Sequence, residues 1–100
     1  RPDRPTAIFA GSDMQAIGVL RAARELGIDV PRELSVVGYD DLPVAEWMGP
    51  ALTTVHQPMA DLGRAAVRAV VDRIASPNAP ARSVRLPVEV LLRASCPPEL

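Results

Sequence analysis

The sequence predicts an α/β domain of three layers, in which helices cover both faces of a mostly parallel sheet. The strongest observation is the stretch over residues 35–41, where Val36 and Val37 lack the polar alternation of a half-exposed strand. A second observation is that short apolar runs alternate along the chain with segments of helical periodicity. This alternation is typical of strand–helix–strand units that pair in parallel.

The first half of the chain predicts one such unit. Residues 1–5 form a loose, proline-rich lead-in, and the apolar run 6–10 predicts a strand. A helix follows, with Ser12 or Asp13 as its N-cap, and continues to about residue 26 before Gly27 ends it. Its apolar positions recur at helical spacing: Ala16, Ile17, Leu20, Ala23 and Leu26.

The second half predicts a loop, a strand, a long helix and a last strand. Residues 42–50 hold two prolines and a glycine, which favours a loop with one helical turn. The β-branched run 53–57 predicts a strand, and Pro58 suits the start of a helix over residues 59–75. Residues 84–94 predict a final strand or a broken pair of strands at a sheet edge, where Pro87 is best tolerated.

Composition excludes several function classes. The net charge is −1 without a basic run, so these residues are not expected to bind DNA themselves. Lysine is absent, which excludes a catalytic lysine, and the single Cys96 excludes an internal disulfide. No metal site and no cofactor is predicted.

We find no signal peptide and no apolar run of the roughly 18–20 residues that span a membrane. The chain does not begin with Met, so we expect a piece of a longer protein.

Polar side chains follow two of the predicted strands. Ligands of open α/β sheets bind outside the carboxyl ends of strands, where Asp40 and Asp41 stand. Adjacent aspartates diverge, so we expect one to face the crevice and the other the loop backbone. Ser12 and Asp13 follow the first strand at the same edge. Plain N-capping explains either of them, and in the functional alternative one caps while the other faces the crevice.

Two further patterns leave alternatives open. Ser12, Asp40 and His56 occur in the chain order of an α/β-hydrolase triad, but the glycines that flank such a serine are replaced by Ala10 and Met14. We therefore predict that the protein is not an enzyme. Trp47 and Met48 lie in the proline-bounded loop, where they form either a lid over a ligand or a subunit contact. The apolar and aromatic character of the pair favours the interface.

Seven motifs together resemble the LacI/GalR family of bacterial transcriptional repressors over about residues 5–95. Each is short, but their order and spacing are highly specific. They are TAIFAGSD (6–13), AIGVL (16–20), LGIDVP (26–31), LSVVGYDD (34–41), PALTTVHQP (50–58), LG (62–63) and LRAS (92–95). The resemblance places residues 1–100 in the C-terminal part of the effector-binding region, which is similar to type I periplasmic sugar-binding proteins. Residues 6–56 would form second-lobe β/α units, and residues 57–100 a crossover helix and terminal strand, with the helix belonging to the first lobe.

The resemblance also implies site residues. Asp40 would contact a small effector, a sugar or a nucleoside-like molecule, together with Ser12 and Gln57, while Asp13 caps the helix. Many family members have Asn at the position of Ser12, so the shorter serine departs from the pattern and puts a standard hexose in doubt. Four residues fall where the family forms its homodimer interface: Met14, Ile17, Trp47 and Met48.

The implied function is the sensing and dimerisation region of a cytoplasmic transcriptional repressor. Operator DNA would be bound through a headpiece outside this chain, and no membrane partner is predicted. The alternative is a fragment of a periplasmic sugar-binding transport protein, which an upstream signal peptide in place of a helix-turn-helix would indicate. Alone, the 100 residues are expected to bind ligand weakly or not at all, and to self-associate through exposed apolar surface.

Overall fold

The computed structural model describes residues 3–98, which group into two units. The second unit is Pro58–Val88, and the residues before and after it form the first. In chain order, the elements are β1 (Ala7–Phe9), α1 (Asp13–Glu25), β2 (Ser35–Val37), a 3₁₀ helix (Pro43–Trp47), β3 (Thr54–His56), α2 (Met59–Ala75) and β4 (Glu89–Leu91). Neither helix in the described part of the chain is long and apolar enough to cross a bilayer.

The strands of the first unit pair mostly in parallel. β1 lies parallel to β2, with Ile8 opposite Val36. Two isolated parallel bridges, Val37 to Thr53 and Asp40 to His56, join β2 to the β3 segment. β4 is the antiparallel exception and pairs with β3. This arrangement confirms the predicted α/β class and the parallel strand–helix–strand unit. It also brings the carboxyl ends of β1, β2 and β3 to one edge.

The core lies between α1 and the strands because α1 repeats small and aliphatic residues at helical spacing. Ala16, Leu20 and Ala23 are buried against Val36 and Leu52, as part of an entirely aliphatic core. Leu26 was predicted to face the same way but is 75% exposed. The physical reason is that α1 ends at Glu25, so Leu26 lies beyond the buried stripe. Gly27 follows at φ 70° and ends the helix as predicted.

The prediction that Asp13 caps α1 is wrong. Ser12 is the N-cap, because its backbone is extended (φ −156°, ψ 161°) and its hydroxyl oxygen accepts a hydrogen bond from Gln15 N at 3.1 Å. Asp13 is the first helical residue, and its side chain is fully buried. The buried carboxylate has other partners, which belong to the site described below.

Gly38 lets α1 approach the end of β2. A Cβ at this position would overlap the Asp13 carboxylate and would lie 2.9 Å from Leu52 Cδ2. Only a residue without a side chain therefore allows the buried Asp13 and the strand end to be this close.

The second unit consists of α2 and the segment that follows it. None of the residues of α2 is buried. Beyond the helix, the Arg73 guanidinium donates to the carbonyl oxygens of Pro77 and Ala79, and Asp72 pairs with Arg82 at 2.9 Å. The exposed apolar residues of α2, here called the α2 surface, are Met59, Leu62, Val67, Val70, Val71 and Ile74.

The structure adds detail to the predicted segments. Within the predicted segment 57–100, β4 groups with the first unit and not with α2.

Of the predicted lead-in, residues 1 and 2 lie outside the described residues. Arg4 is held in place, because its guanidinium donates to the Glu33 carbonyl oxygen at 3.2 Å and pairs with the Glu33 carboxylate at 3.3 Å. The assignment of α2 to a first lobe stays a prediction.

Candidate functional site

The Asp40–Asp41 turn follows β2 and carries the two candidate carboxylates. Both residues have positive backbone angles, with φ 130° at Asp40 and φ 63° at Asp41. A non-glycine residue in such a conformation costs on the order of 1–3 kcal/mol and persists only where its surroundings hold it. The turn is therefore strained, and the contacts that hold it decide where the two carboxylates point.

Asp13 holds both ends of this turn. Its backbone N donates to the Tyr39 carbonyl oxygen at 2.9 Å, and its Oδ2 accepts from Leu42 N at 2.7 Å. Its Oδ1 accepts from the Thr54 hydroxyl at 2.6 Å, which ties the turn to β3. From sequence, the second carboxylate of the Asp40–Asp41 pair was expected to bind the loop backbone. The structure gives that task to Asp13, which lies far from the loop in sequence.

Asp41 instead binds two basic side chains. Its Oδ1 lies 3.0 Å from an Arg93 guanidinium nitrogen, and its Oδ2 lies 2.9 Å from His56 Nδ1. The same guanidinium donates to the Leu52 carbonyl oxygen at 3.1 Å and lies 3.6 Å from Glu46 Oε1. We call Asp41, His56, Arg93 and Glu46 the Asp41 cluster. The side chains of Asp41 and Arg93 are only 17% and 16% exposed, so this ion pair is shielded from water.

Asp40 faces a different partner. Its Oδ1 accepts a hydrogen bond from the Gln57 amide at 2.6 Å, and its backbone N donates to the Val55 carbonyl oxygen at 2.9 Å. Both side chains are only half-buried. Within residues 3–98, no hydrogen bond reaches the other carboxylate oxygen of Asp40. The structure therefore brings together Asp40 and Gln57, two of the three predicted binding residues, and leaves an acceptor open to a ligand.

Ser12, the third predicted binding residue, lies at the same edge but is engaged as the N-cap. Its oxygen accepts from the helix, so its hydroxyl proton stays available to a ligand. The described residues contain no hydrogen bond between Ser12 and His56, whose Nδ1 faces Asp41 instead. The chain order of a hydrolase triad is thus not matched by a linked Ser–His pair in the structure.

Phe9 is a candidate that sequence reasoning missed. It is the last residue of β1, and its side chain is 66% exposed at the edge where Asp40 also emerges. The available signal was the position of a rare aromatic at the end of a strand, immediately before the predicted polar turn. An exposed aromatic at the same sheet edge as a carboxylate can offer an apolar face to a ligand that the carboxylate binds.

Arg93 and Ser95 belong to the motif at residues 92–95, and the structure shows what they do. The buried Ser95 hydroxyl donates to the Val36 carbonyl oxygen at 2.6 Å and accepts from Thr53 N at 2.8 Å. The segment after β4 thereby joins β2 to the residues before β3. No local pattern indicates these contacts, because they span 59 and 42 positions of the chain.

The four predicted interface residues differ in exposure. Met14 and Trp47 are 65% and 83% exposed, and Ile17 is half-buried. Met48 was expected to lack any element to cover it, yet it packs against the aliphatic core. The exposed part of the predicted interface thus consists of Met14 on α1 and Trp47 at the end of the 3₁₀ helix.

The comparisons with known proteins agree on one family. Residues 1–96 match the periplasmic binding protein-like domain family. The chain is 41% identical over 95 residues to the HTH-type transcriptional repressor PurR of Escherichia coli O139:H28, covering 95% of this chain and 28% of that repressor.

Solved structures of transcriptional regulators, among them a LacI-family regulator, share the fold. The LacI-family transcriptional regulator from Enterococcus faecium with bound ribose superposes with a TM-score of 0.84 and 35% identity, over 97% of this chain and 36% of that one. The complex of the transcriptional regulator CelR with cellobiose gives a TM-score of 0.84 and 39% identity, over 90% and 28% of the two chains. The predicted resemblance to the LacI family is confirmed, and the chain spans about a third or less of the length of these relatives.

Proposed function

Because the chain belongs to the periplasmic binding protein-like domain family, in the form that LacI-family transcriptional regulators carry, we propose that it supplies one side of an effector cleft. The observation that carries the proposal is the Asp40–Gln57 pair at the carboxyl edge of three strands. This is the edge at which open α/β sheets bind ligands.

The chemistry of this edge favours a small polyhydroxylated ligand. Asp40 presents a charged acceptor for hydroxyl or ring N–H donors, and charge-assisted hydrogen bonds of this kind are short and strong. Gln57 and the Ser12 hydroxyl add neutral polar groups, and Phe9 adds an exposed ring that can cover one face of a sugar. The relatives bound to ribose and to cellobiose support a sugar as the effector.

Calorimetry on the complete protein that contains this chain tests the effector site. Ribose, cellobiose and a purine nucleoside are titrated into the wild type and into Asp40→Asn. We expect a sugar to bind, and Asp40→Asn to lower its affinity by at least about tenfold, because the charged acceptor is lost. Asp61→Asn, on exposed α2, is the matched control and should bind as the wild type does. Equal affinity of the Asp40→Asn variant and the wild type would contradict the proposal.

We further propose that Met14 and Trp47 belong to a homodimer interface. Both are large, apolar and exposed, and residues of this kind are enriched at the buried centres of interfaces. Trp47→Ala and Met14→Glu should shift the complete protein from dimer to monomer in analytical ultracentrifugation. Leu26→Glu, which changes an equally exposed apolar residue at the far end of α1, is the control and should leave the dimer intact.

In the proposed mechanism, the effector shifts a population between two arrangements of the regulator. Ligand held by Asp40 favours one arrangement of the lobes, and the dimer transmits that preference to DNA-binding segments outside this chain. The protein would act in the cytoplasm. Operator binding that responds to the effector in a gel-shift assay supports this mechanism. Operator binding that is indifferent to the effector would contradict it, and no DNA binding by the complete protein would favour the transport alternative.

The α2 surface supports the same proposal. An amphipathic helix with none of its residues buried lacks the partner that its apolar face requires. We propose that the first lobe of the complete regulator covers it. The isolated 100 residues should then self-associate, which light scattering would detect as an average mass that rises with concentration. A mass that stays monomeric at every concentration would contradict this part of the proposal.

A further inference from the structure

The direction of the Asp40 carboxylate depends on a turn that its own sequence disfavours. Asp40 and Asp41 are consecutive non-glycine residues with positive φ. The ends of the turn are held by Asp13, through Tyr39 and Leu42. Those contacts fix where the turn begins and ends, but they do not touch either of the two strained residues between them.

The strained residues are held by the hydrogen bond from Asp40 N to the Val55 carbonyl oxygen and, through the Asp41 side chain, by the Asp41 cluster. One carboxylate oxygen of Asp41 faces Arg93 and the other faces His56, so the side chain cannot rotate without breaking one of the two contacts. His56 is half-exposed, whereas the Asp41–Arg93 pair is shielded. Arg93 is therefore the stronger of the two constraints, because shielding from water strengthens an ion pair.

We propose that Arg93 is the positioning residue of the effector site. It does not touch the effector. It holds Asp41 at φ 63°, and the connected backbone then directs the Asp40 carboxylate towards Gln57 and the cleft. The role assigned to Asp40 rests on the proposed function, but the geometric effect of Arg93 on Asp40 does not.

The same guanidinium connects the site to the predicted interface. Arg93 lies 3.6 Å from Glu46, which immediately precedes Trp47 in the 3₁₀ helix. It also donates to the Leu52 carbonyl oxygen, which fixes it to the fully buried core. The Arg93 side chain contacts both Asp41 and Glu46, so a change in the Asp40–Asp41 turn that moves Arg93 also alters the contact with Glu46, the residue next to Trp47.

Nuclear magnetic resonance of the ligand-free complete protein that contains this chain, with its aspartate and glutamine residues isotope-labelled, tests the proposal. Two signals report the geometry: the amide-to-Hα Overhauser effect within Asp41, which is strong at positive φ, and the side-chain amide signals of Gln57. Arg93→Met should weaken the Asp41 effect by at least about twofold and shift the Gln57 signals towards those of a free glutamine amide. Arg93→Lys keeps the charge but loses the planar fork, so it should restore the signals in part.

A control variant and a replacement variant accompany Arg93→Met. Arg82→Met removes an ion pair of similar length in the second unit and should leave both signals unchanged. If Arg93→Met fails to fold, Asp41→Asn replaces it; asparagine tolerates positive φ but carries no charge, and the Gln57 signals should still shift. Unchanged signals in a folded Arg93→Met variant, or in Asp41→Asn where Arg93→Met does not fold, would overturn the proposal. Because no ligand is present, this result is independent of whether the complete protein binds a sugar.

Discussion

The helices α1 and α2 have similar local features and opposite surroundings. Each is amphipathic, with an aspartate in its first turn and an arginine in its last: Asp13 and Arg24 in α1, Asp61 and Arg73 in α2. In α1, Asp13 and three apolar residues are buried, whereas α2 has no buried residue. An apolar stripe thus predicts that a helix forms, but the partner surface decides whether the stripe stabilises the fold.

The two aspartates show how strongly surroundings set the energetic role of one side chain. Asp61 is exposed and pairs with Arg64 at 2.8 Å, a contact that water and salt weaken. Asp13 is fully buried and accepts from a backbone N–H and a hydroxyl at 2.7 and 2.6 Å. Losing a buried acceptor leaves its donors without partners, which is far more costly than losing an exposed one.

The largest expected difference in stability is between substitutions of the two aspartates, Asp13 and Asp61. Asp13→Ala should lower the free energy of unfolding by about 4 kcal/mol, because the two charge-assisted hydrogen bonds that its fully buried carboxylate accepts are lost. Asp61→Ala should change it by no more than about 0.5 kcal/mol. Urea unfolding followed by circular dichroism, at a concentration where the chain is monomeric, measures both. Similar losses for the two variants would show that burial does not separate the helices in this way.

The second-largest expected difference in stability is between leucine substitutions, one in each helix. Leu20→Ala leaves a cavity in the aliphatic core and should cost about 3 kcal/mol. Leu62 on the α2 surface is 40% exposed, so Leu62→Ala should cost less than about 0.5 kcal/mol in the monomeric chain. The same unfolding measurement applies. A cost at Leu62 equal to that at Leu20 would mean that the α2 surface is covered within this chain.

Glycine-to-alanine substitutions should have opposite signs in the two regions. Gly38→Ala should destabilise by about 2 kcal/mol, because the new methyl group overlaps the Asp13 carboxylate and presses on Leu52. A methyl group on Gly63 in α2 would meet no atom within 4 Å outside its chain neighbours and the nearby helix backbone, so Gly63→Ala should raise stability by up to about 1 kcal/mol. Thermal unfolding with both variants side by side tests the difference in sign.

The smallest effect concerns the start of α1. Ser12→Ala removes the N-cap and should cost about 1 kcal/mol, whereas Ser12→Gly should cost only a few tenths. α2 starts without a side-chain cap, at Pro58, so it offers no equivalent position. Denaturation midpoints of the two Ser12 variants distinguish a capping role from a pure ligand contact, since a ligand contact alone would leave the midpoint of the free chain unchanged.

Much of the fold follows from local patterns. The order and type of the strands and helices, the termination of α1 at Gly27 and the parallel pairing of β1 with β2 were all predicted from periodicity, capping residues and apolar runs. The prediction failed where two neighbouring residues suit one position. Ser12 and Asp13 are both good N-caps, and only the contacts of Asp13 with Leu42 and Thr54 decide between them.

Residue chemistry and spacing therefore determined which elements form and at which sheet edge the polar side chains gather. Tertiary structure alone decided which carboxylate does what: Asp13 holds the turn, Asp41 binds Arg93, and Asp40 remains open towards Gln57. The physical reason is distance along the chain. Periodicity and capping act over a few residues, whereas Asp41 and Arg93 are 52 positions apart and meet only because β4 pairs with β3.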